Sequence, residues 1–109
     1  MDGEWGLGMR LDSTLSFPYQ MTLGAIQDNT LIYKMGQQVG SQFKRLGVQI
    51  NFAPDMDVNN NPENPVINYR SFGDNKINVA QKGIAYMQGM QSVGPVSYTH
   101  LTLPTILRV

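Results

Sequence analysis

Apolar side chains recur at three- and four-residue steps across residues 30–46, and this spacing predicts a helix with one buried face. Asp28 or Asn29 is available to cap its N-terminus, and Gly47 follows in the position typical of a helix C-cap. The predicted buried face consists of Leu31, Ile32, Met35, Val39, Phe43 and Leu46. We expect this helix to act as scaffold rather than to carry chemistry.

A second helix is predicted to begin after Asp74 or Asn75, either of which can cap it, and to run to about Ser92. Its predicted apolar face consists of Val79, Ala80, Gly83, Ile84, Met87 and Met90. In the first helix, Gly36 and Gly40 lie one turn apart and weaken the isolated helix by up to about 1 kcal/mol each. We therefore expect these two glycines to permit close packing against a neighbouring element.

Between the two helices, residues 48–53 predict a buried strand. Because side chains alternate along a strand, its faces hold Val48, Ile50 and Phe52 on one side and Gln49, Asn51 and Ala53 on the other. Pro54 cannot donate to a sheet ladder and ends the strand, and Asp55 and Asp57 follow it. The alternation of helix and strand predicts an α/β protein with a parallel sheet, whose chemistry lies beyond the carboxyl ends of the strands.

Composition narrows the possible partners. The chain has 109 residues, enough for one small domain, and its eight basic and eight acidic side chains give a net charge of zero, so nothing favours nucleic acid as a ligand. No apolar run approaches the roughly 20 residues that span a bilayer, so membrane insertion is not expected. The absence of cysteine excludes disulfides, a thiolate nucleophile and Cys-based zinc sites, and we predict no cofactor.

The N-terminal loop, residues 2–8, combines three glycines with two carboxylates and the only tryptophan of the chain. Asp2, Glu4 and Trp5 together are typical of a sugar subsite, because carboxylates accept hydrogen bonds from hydroxyl groups and an indole ring stacks on a pyranose face. A solvated acidic turn with a half-buried tryptophan explains the same residues. Spacing alone does not decide between the two interpretations.

The residues after the strand begin like a calcium-binding loop. Asp55-x-Asp57-x-Asn59 has the spacing of the first ligands of an EF-hand, but that motif also requires glycine at its sixth position and glutamate at its twelfth. Asn60 and Val66 occupy those positions here. Capping of loop amides by the Asp and Asn side chains is the interpretation that we favour over a calcium site.

Arg70 is the second candidate binding residue, because a guanidinium offers several fixed donors for sugar hydroxyls or a carboxylate. A salt bridge to Asp55, Asp57 or Asp74 is an equally good explanation from chemistry alone. His100 is the only histidine, and any His-based metal site or catalytic triad would have to include it. It lies in a segment without periodicity or capping signals, and we do not assign it a catalytic role.

A series of motifs in residues 1–94 is typical of one family: Asp2-x-Glu4-x-Gly6 with Met9-Arg10-Leu11, Pro18-x-Gln20-Met21-Thr22-Leu23-Gly24-Ala25, Asn51-Phe52-Ala53-Pro54, Asp57-Val58-Asn59-x-Asn61-Pro62, Asn64-Pro65-Val66-Ile67-Asn68-x-Arg70-Ser71-Phe72-Gly73 and Tyr86-Met87-x-Gly89-Met90-Gln91. With these motifs the chain resembles the N-terminal barrel domain of family 3 glycoside hydrolases, and most closely its β-N-acetylhexosaminidase branch. Trp5 is a departure, since many members have glycine at that position.

The resemblance implies a (β/α)₈ barrel and retaining exo-hydrolysis of terminal β-linked N-acetylhexosamine through a covalent glycosyl-enzyme. It further implies that Asp2 binds sugar hydroxyls in the −1 subsite, that Arg70 contacts the same sugar, and that Asp57 is a supporting acid. A β-glucosidase of the same family, or a non-catalytic sugar- or calcium-binding module, remains the alternative. No catalytic residue can be assigned, because the stretches that carry the family's acid/base and nucleophile have no match here.

The same resemblance predicts a partial barrel rather than a closed one, since closure takes about 250 residues. Residues 1–94 are the predicted partial domain, and residues 95–109 are similar to a translated sequencing adapter and are predicted to be a non-native tail. Met1 is predicted to lie inside the second barrel strand. We expect the 109-residue chain to be inactive and poorly folded alone, and a full-length parent to be periplasmic or secreted.

Overall fold

The computed structural model describes residues 1–59 and 66–97, in which two long helices pack together beside a small parallel sheet. None of the described helices is long and apolar enough to cross a membrane. The helices are α1 (Gln20–Leu23), α2 (Asn29–Arg45) and α3 (Lys76–Ser92). The strands are β1 (Ile50–Asn51) and β2 (Val96–Ser97), and single 3₁₀ turns lie at Leu7–Met9 and Asn68–Arg70.

The sheet has parallel neighbours on both sides of β1. On one side β1 pairs with β2 in parallel, with Ile50 opposite Val96. On the other side the Met1 amino group donates to the Ile50 carbonyl at 3.1 Å, and the Phe52 N–H donates to the Met1 carbonyl at 3.0 Å. These two hydrogen bonds form the pattern of a parallel pair, so Met1 lies beside β1. The position of Met1 inside the second barrel strand stays a prediction. All three segments run the same way, and the loops that follow Met1 and β1 leave from one edge, the carboxyl edge.

The predicted tail, residues 95–109, includes strand β2 near its start. Val96–Ser97 pair with β1, whereas residues 98–109, including His100, lie outside the described residues. The predicted domain boundary after residue 94 therefore stays a prediction.

The prediction of a buried strand is wrong for half of its side chains. Ile50 and Phe52 are 44% and 43% exposed, while Asn51 and Ala53 are fully buried. The helices cover only one face of the sheet, and that face presents Asn51 and Ala53. The Asn51 amide tolerates burial because the Gly3 N–H donates to its Oδ1 at 2.8 Å and its Nδ2 donates to the Gly3 carbonyl at 3.2 Å.

The predicted helix ends are confirmed to within one residue. Asp28 caps α2 by accepting a hydrogen bond from the Thr30 N–H at 3.0 Å. The hydrogen bond from the Thr30 hydroxyl, together with the one from its N–H, lowers the pKa of Asp28. Asn75 caps α3 by accepting from the Ile77 N–H at 3.0 Å. Gly47, just beyond α2, has a φ of 76°, a conformation that favours glycine. These local signals therefore determine where the helices begin and end.

The predicted helix faces are only partly confirmed. Helix α2 buries the central four of its six predicted residues, whereas Leu31 and Leu46 at its ends are half exposed. Helix α3 is rotated relative to the prediction, since Ile84 is 48% exposed and Tyr86 is fully buried. The described core consists of Leu7, Leu23, Ile32, Met35, Val39, Phe43, Ala53, Phe72, Val79, Tyr86 and Met90.

Glycines bring α2 and α3 into main-chain contact, as predicted for Gly36 and Gly40. A Cβ at Gly36 would collide with the Tyr86 carbonyl oxygen, and one at Gly89 would collide with the Tyr33 carbonyl oxygen. A Cβ at Gly40 would meet the Met90 carbonyl oxygen at 2.9 Å. The packing gained across this contact compensates for the low helix propensity of glycine.

Candidate functional site

An ion pair between Arg70 and Glu4 is the centre of the polar residues at the carboxyl edge. Arg70 Nε donates to Glu4 Oε1 at 3.0 Å and Nη2 donates to Oε2 at 3.1 Å, a two-pronged geometry that fixes the guanidinium plane. The Glu4 side chain is 1% exposed and that of Arg70 is 27% exposed. Hydrogen bonding to Glu4 raises the pKa of Arg70, so the cation persists at every physiological pH.

The loop that carries Glu4 is held in place by the helices. The Tyr86 hydroxyl donates to the Gly3 carbonyl at 3.1 Å and lies 3.0 Å from the Glu4 carbonyl, and Gln20 Nε2 donates to the Glu4 carbonyl as well. A side chain at Gly3 would collide with the Phe43 ring, so only glycine permits this close approach. Burial raises the pKa of Tyr86, which keeps its hydroxyl a donor. The Glu4 carboxylate is thus pre-positioned for Arg70.

Asp55 is a second buried acid beside the same arginine. Its side chain is fully buried, its Oδ1 accepts a hydrogen bond from the Asp57 N–H at 3.0 Å, and its Oδ2 lies 3.7 Å from Arg70 Nε. The pKa of Asp55 is raised to about 8, mainly by burial and also by the neighbouring Asp57 carboxyl group, while the Asp57 N–H and the Arg70 guanidinium act in the opposite direction. Asp55 is therefore mostly protonated at neutral pH. Its contact with the Asp57 amide is the loop capping that we favoured over a calcium site.

The three sequence-predicted binding residues are placed differently. Arg70 forms an ion pair with Glu4, and its Nε lies 3.7 Å from Asp55 Oδ2. A salt bridge was one of the two explanations left open for Arg70. Asp2 instead pairs with Arg10 at 2.9 Å, with both side chains about half exposed. The main chain of Asp57 contacts two neighbours: its N–H donates to Asp55 Oδ1, and its carbonyl accepts a 2.6 Å hydrogen bond from the Ser71 hydroxyl. The binding roles of Asp2, Arg70 and Asp57 stay predictions.

A cleft of about 240 Å³ adjoins Arg70, and we call it the aromatic cleft. Its walls include the rings of Trp5, Tyr19 and Tyr69, together with Val66, Ile67 and Arg70. Trp5 and Tyr19 meet edge to face with centroids 4.7 Å apart, and Tyr19 and Tyr69 stack at 5.7 Å and 25°. Sequence analysis had singled out Trp5 but missed both tyrosines. A tyrosine next to a turn was the only available signal, and it does not predict which rings converge.

The described residues contain no group of three or more His, Asp or Glu side chains suited to a metal ion. Asp55, the first residue of the calcium-like motif, is buried and mostly protonated, which is unfavourable for a cation ligand. Asn60, at the sixth motif position, lies outside the described residues.

Comparison with known proteins places this arrangement in a family. Residues 1–101 match the family model described as the glycosyl hydrolase family 3 N-terminal domain. The chain is 36% identical over 102 residues to beta-hexosaminidase A of Pseudoalteromonas piscicida, covering 89% of this chain and 17% of that protein.

Two solved structures have the same fold over nearly the whole chain. Mycobacterium tuberculosis LpqI superimposes with a TM-score of 0.81 and 31% identity, covering 91% of this chain and 29% of that structure. A family 3 β-N-acetylglucosaminidase from Paenibacillus sp. str. FPU-7 gives a TM-score of 0.80 and 36% identity, with 92% and 19% covered. This chain therefore spans less than a third of each relative. With its parallel βα architecture, it belongs to the glycosyl hydrolase family 3 N-terminal domain family and forms part of a (β/α)₈ barrel.

Proposed function

We propose that this chain supplies part of the sugar-binding site of a retaining exo-glycosidase that removes terminal β-linked N-acetylhexosamine. The observation that carries the proposal is the Arg70–Glu4 pair at the carboxyl edge of the parallel sheet. In α/β barrels this edge is where substrates bind. The pair holds a permanent cation in one orientation there, and such a cation can donate hydrogen bonds to sugar hydroxyls without reorganisation.

The carboxylates of Asp2 and Asp57 complete the proposed binding site. Asp2 lies two residues before Glu4 on the loop that follows Met1, and its side chain is 43% exposed, so it can accept hydrogen bonds from a ligand. Asp57 lies on the loop that follows β1, beside Asp55. Both loops leave the sheet at the carboxyl edge, which places donors and acceptors on one side of the molecule.

The names of the relatives support the proposed substrate class. The proteins compared above are named as a β-hexosaminidase and a β-N-acetylglucosaminidase, which supports N-acetylhexosamine over glucose as the terminal sugar. Retaining cleavage requires a nucleophile and an acid/base that are about 5–5.5 Å apart when both are carboxyl groups. We assign binding, and not bond cleavage, to Asp2, Arg70 and Asp57.

Calorimetric titration of the 109-residue chain with N-acetylglucosamine and with glucose tests the proposal. Asp2→Asn is the sharpest variant, because its ion pair with Arg10 is exposed and contributes only about 0.2–1 kcal/mol to stability. We expect it to weaken N-acetylglucosamine binding by about tenfold, the effect of losing one charge-assisted hydrogen bond. The exposed Asp12→Asn is the matched control and should bind like the unaltered chain.

Two results would contradict the proposal. Equal affinity for glucose and N-acetylglucosamine would remove the preference for N-acetylhexosamine. Binding that Asp2→Asn leaves unchanged would remove Asp2 from the site.

A further inference from the structure

We infer that Asp55 is a positioning residue for Arg70: when uncharged it leaves the guanidinium to Glu4, and when ionised it draws the guanidinium away and weakens sugar binding. This inference rests on the proposed function, because it takes the terminal sugar to contact Arg70. It adds that binding depends on the protonation of a fully buried side chain. Three features support it: a shared hydrogen, the burial of Asp55 and the charges around it.

Two buried carboxyl groups converge on the same nitrogen of Arg70. Its Nε donates to Glu4 Oε1 at 3.0 Å, and Asp55 Oδ2 lies 3.7 Å from the same Nε. Because Nε carries a single hydrogen, it cannot bond to both carboxyl groups at full strength. Glu4 holds this hydrogen in the structure, and the bond from Nη2 to Glu4 Oε2 at 3.1 Å fixes the guanidinium plane.

Asp55 is held where it can compete for that hydrogen. Its Oδ1 accepts from the Asp57 N–H at 3.0 Å, which orients the carboxyl group. Its Oδ2 is buried and has no hydrogen-bond partner among the described residues. A buried oxygen without a partner is far more costly in a carboxylate than in a neutral acid. Once the proton has passed to water, Arg70 Nε therefore becomes an attractive partner for Oδ2.

The charges around Asp55 oppose its ionisation while Arg70 is bound to Glu4. Burial and the neighbouring Asp57 carboxyl group raise the pKa of Asp55, whereas the Asp57 N–H and the Arg70 guanidinium lower it. Glu4 faces Asp55 across Arg70 and is already paired with it. A second buried carboxylate would thus have to share a cation that is in use.

The titratable side chains of α3 are directed to other partners. Lys82 Nζ donates to Asn29 Oδ1 at 2.8 Å. The Tyr86 hydroxyl donates to the Gly3 carbonyl, and burial raises the pKa of Tyr86, which keeps it neutral. Of the described cations, the arginine is thus the one that acts on the pKa of Asp55.

Ionisation of Asp55 reorients the donors that we propose to contact the sugar. A shift of Arg70 Nε toward Asp55 Oδ2 breaks the two-pronged contact with Glu4, and the guanidinium plane turns with it. The donors are then no longer pre-oriented, and pre-orientation is what makes them effective. The apparent affinity for the sugar should therefore scale with the protonated fraction of Asp55.

Calorimetric titration of the 109-residue chain with N-acetylglucosamine, which does not titrate between pH 6 and pH 9, tests the inference. We expect about tenfold weaker binding at pH 9 than at pH 6, because one pH unit above a pKa of about 8 only about a tenth of Asp55 keeps its proton. Asp55→Asn, which is always neutral, should bind equally at both pH values. The exposed Asp12→Asn is the matched control and should retain the tenfold fall.

A second measurement follows the guanidinium directly and needs no ligand. The ¹⁵N resonance of Arg70 Nε, identified by its absence in Arg70→Lys, should shift between pH 6 and pH 9 as its acceptor changes from Glu4 to Asp55. Asp55→Asn should abolish this shift. If the far-ultraviolet circular dichroism of that variant shows that it is unfolded, Asp57→Asn replaces it. This variant keeps the N–H that bonds to Asp55 but removes a carboxyl group that raises its pKa, so the midpoint of the shift should move to lower pH.

The outcomes separate this inference from the proposed function. Sugar binding that does not change with pH, together with an Nε resonance that does not move, would overturn the role of Asp55 and leave the proposed function standing. A pH dependence that survives in Asp55→Asn would also overturn it. Absence of sugar binding at every pH, with an Nε shift that depends on Asp55, would contradict the proposed function, and Asp55 would still position Arg70.

Discussion

At the level of single residues, two buried acids compete for one guanidinium. Glu4 forms close hydrogen bonds to Arg70 at 3.0 Å, whereas the nearest Asp55 oxygen is 3.7 Å from the same nitrogen. One cation compensates the desolvation of one carboxylate, and a second buried charge would lack such compensation. Asp55, whose pKa burial raises, is therefore the acid that takes up a proton.

This difference predicts a dependence of stability on pH. The pKa of Asp55 is about 8 in the fold against 3.8 ordinarily, so between these values the folded chain binds more protons than the unfolded chain. The free energy of unfolding should then fall as pH rises from 4 to 8, by at most about 1.4 kcal/mol per pH unit. Asp55→Asn, which is neutral throughout, should remove this slope.

Urea denaturation at pH 5, 6, 7 and 8 measures the effect. Asp12→Asn, at an exposed acid, is the control and should keep the slope of the unaltered chain. An identical slope in Asp55→Asn would mean that the buried acid is not the group responsible.

Sequence reasoning identified Arg70 but not its main partner. Asp55, Asp57 and Asp74 were the expected partners because they lie near Arg70 in the chain, whereas Glu4 is 66 positions away. Glu4 is the partner of Arg70 because the sheet brings the loop after Met1 beside the loop after β1. No local pattern around Glu4 contains that information. The family resemblance assigned the chain to the correct family. The contact between Arg70 and Glu4 could be found only from the tertiary structure.

At the level of secondary-structure elements, the ends of the helices were easier to predict than the face of α3. Asp28, Asn75 and Gly47 act on main-chain groups within a few residues, so their effect can be derived from sequence. The buried face of α3 depends on partners elsewhere. Tyr86 is buried because its hydroxyl reaches the carbonyl of Gly3, and hydrophobic periodicity does not record that acceptor.

Lys82 is a second residue of α3 whose burial depends on a partner elsewhere in the chain. Lys82 is 1% exposed, and its Nζ tolerates this burial because it donates a hydrogen bond to Asn29 Oδ1 at 2.8 Å. Burial lowers the pKa of its ammonium group. A lysine would never be assigned to an apolar face from sequence, yet this one ties α3 to the first turn of α2.

The main-chain contact between α2 and α3 predicts that two glycine substitutions differ in their effect on stability. Gly→Ala in a helix ordinarily stabilises by about 0.5–1 kcal/mol. At Gly36 the new methyl group would collide with the Tyr86 carbonyl, so we expect Gly36→Ala to destabilise by about 1–3 kcal/mol. At Gly83 the obstacle is the flexible end of Met56, so Gly83→Ala should be close to neutral. Thermal denaturation measures both, and equal effects would show that the two helices are free to separate.

At the level of the whole molecule, the residues that the structure describes cover the sheet on one side only. Ile50 and Phe52 point away from the helices, and Leu46 at the end of α2 is 51% exposed. In a closed barrel, side chains on this face of the strands fill the interior. The described part of the chain leaves them accessible to water, which makes them a surface prone to association.

We therefore expect the 109-residue chain to self-associate and to unfold over a broad temperature range. Ile50→Ser should lower the apparent molecular mass at a given protein concentration in analytical ultracentrifugation, because it removes an aliphatic group that is 44% exposed on the face turned away from the helices. Ile84→Ser is the control, since Ile84 is similarly exposed at 48% but lies on α3. A monomer with a sharp, concentration-independent thermal transition would contradict the expectation.

The position of Met1 in the sheet determines how the chain can be handled. Because Met1 runs parallel to β1, anything joined ahead of it approaches from the edge of the sheet opposite to Arg70 and the aromatic cleft. An affinity tag or a biotin placed there would anchor the chain to a sensor surface with its sugar-binding loops facing the solvent.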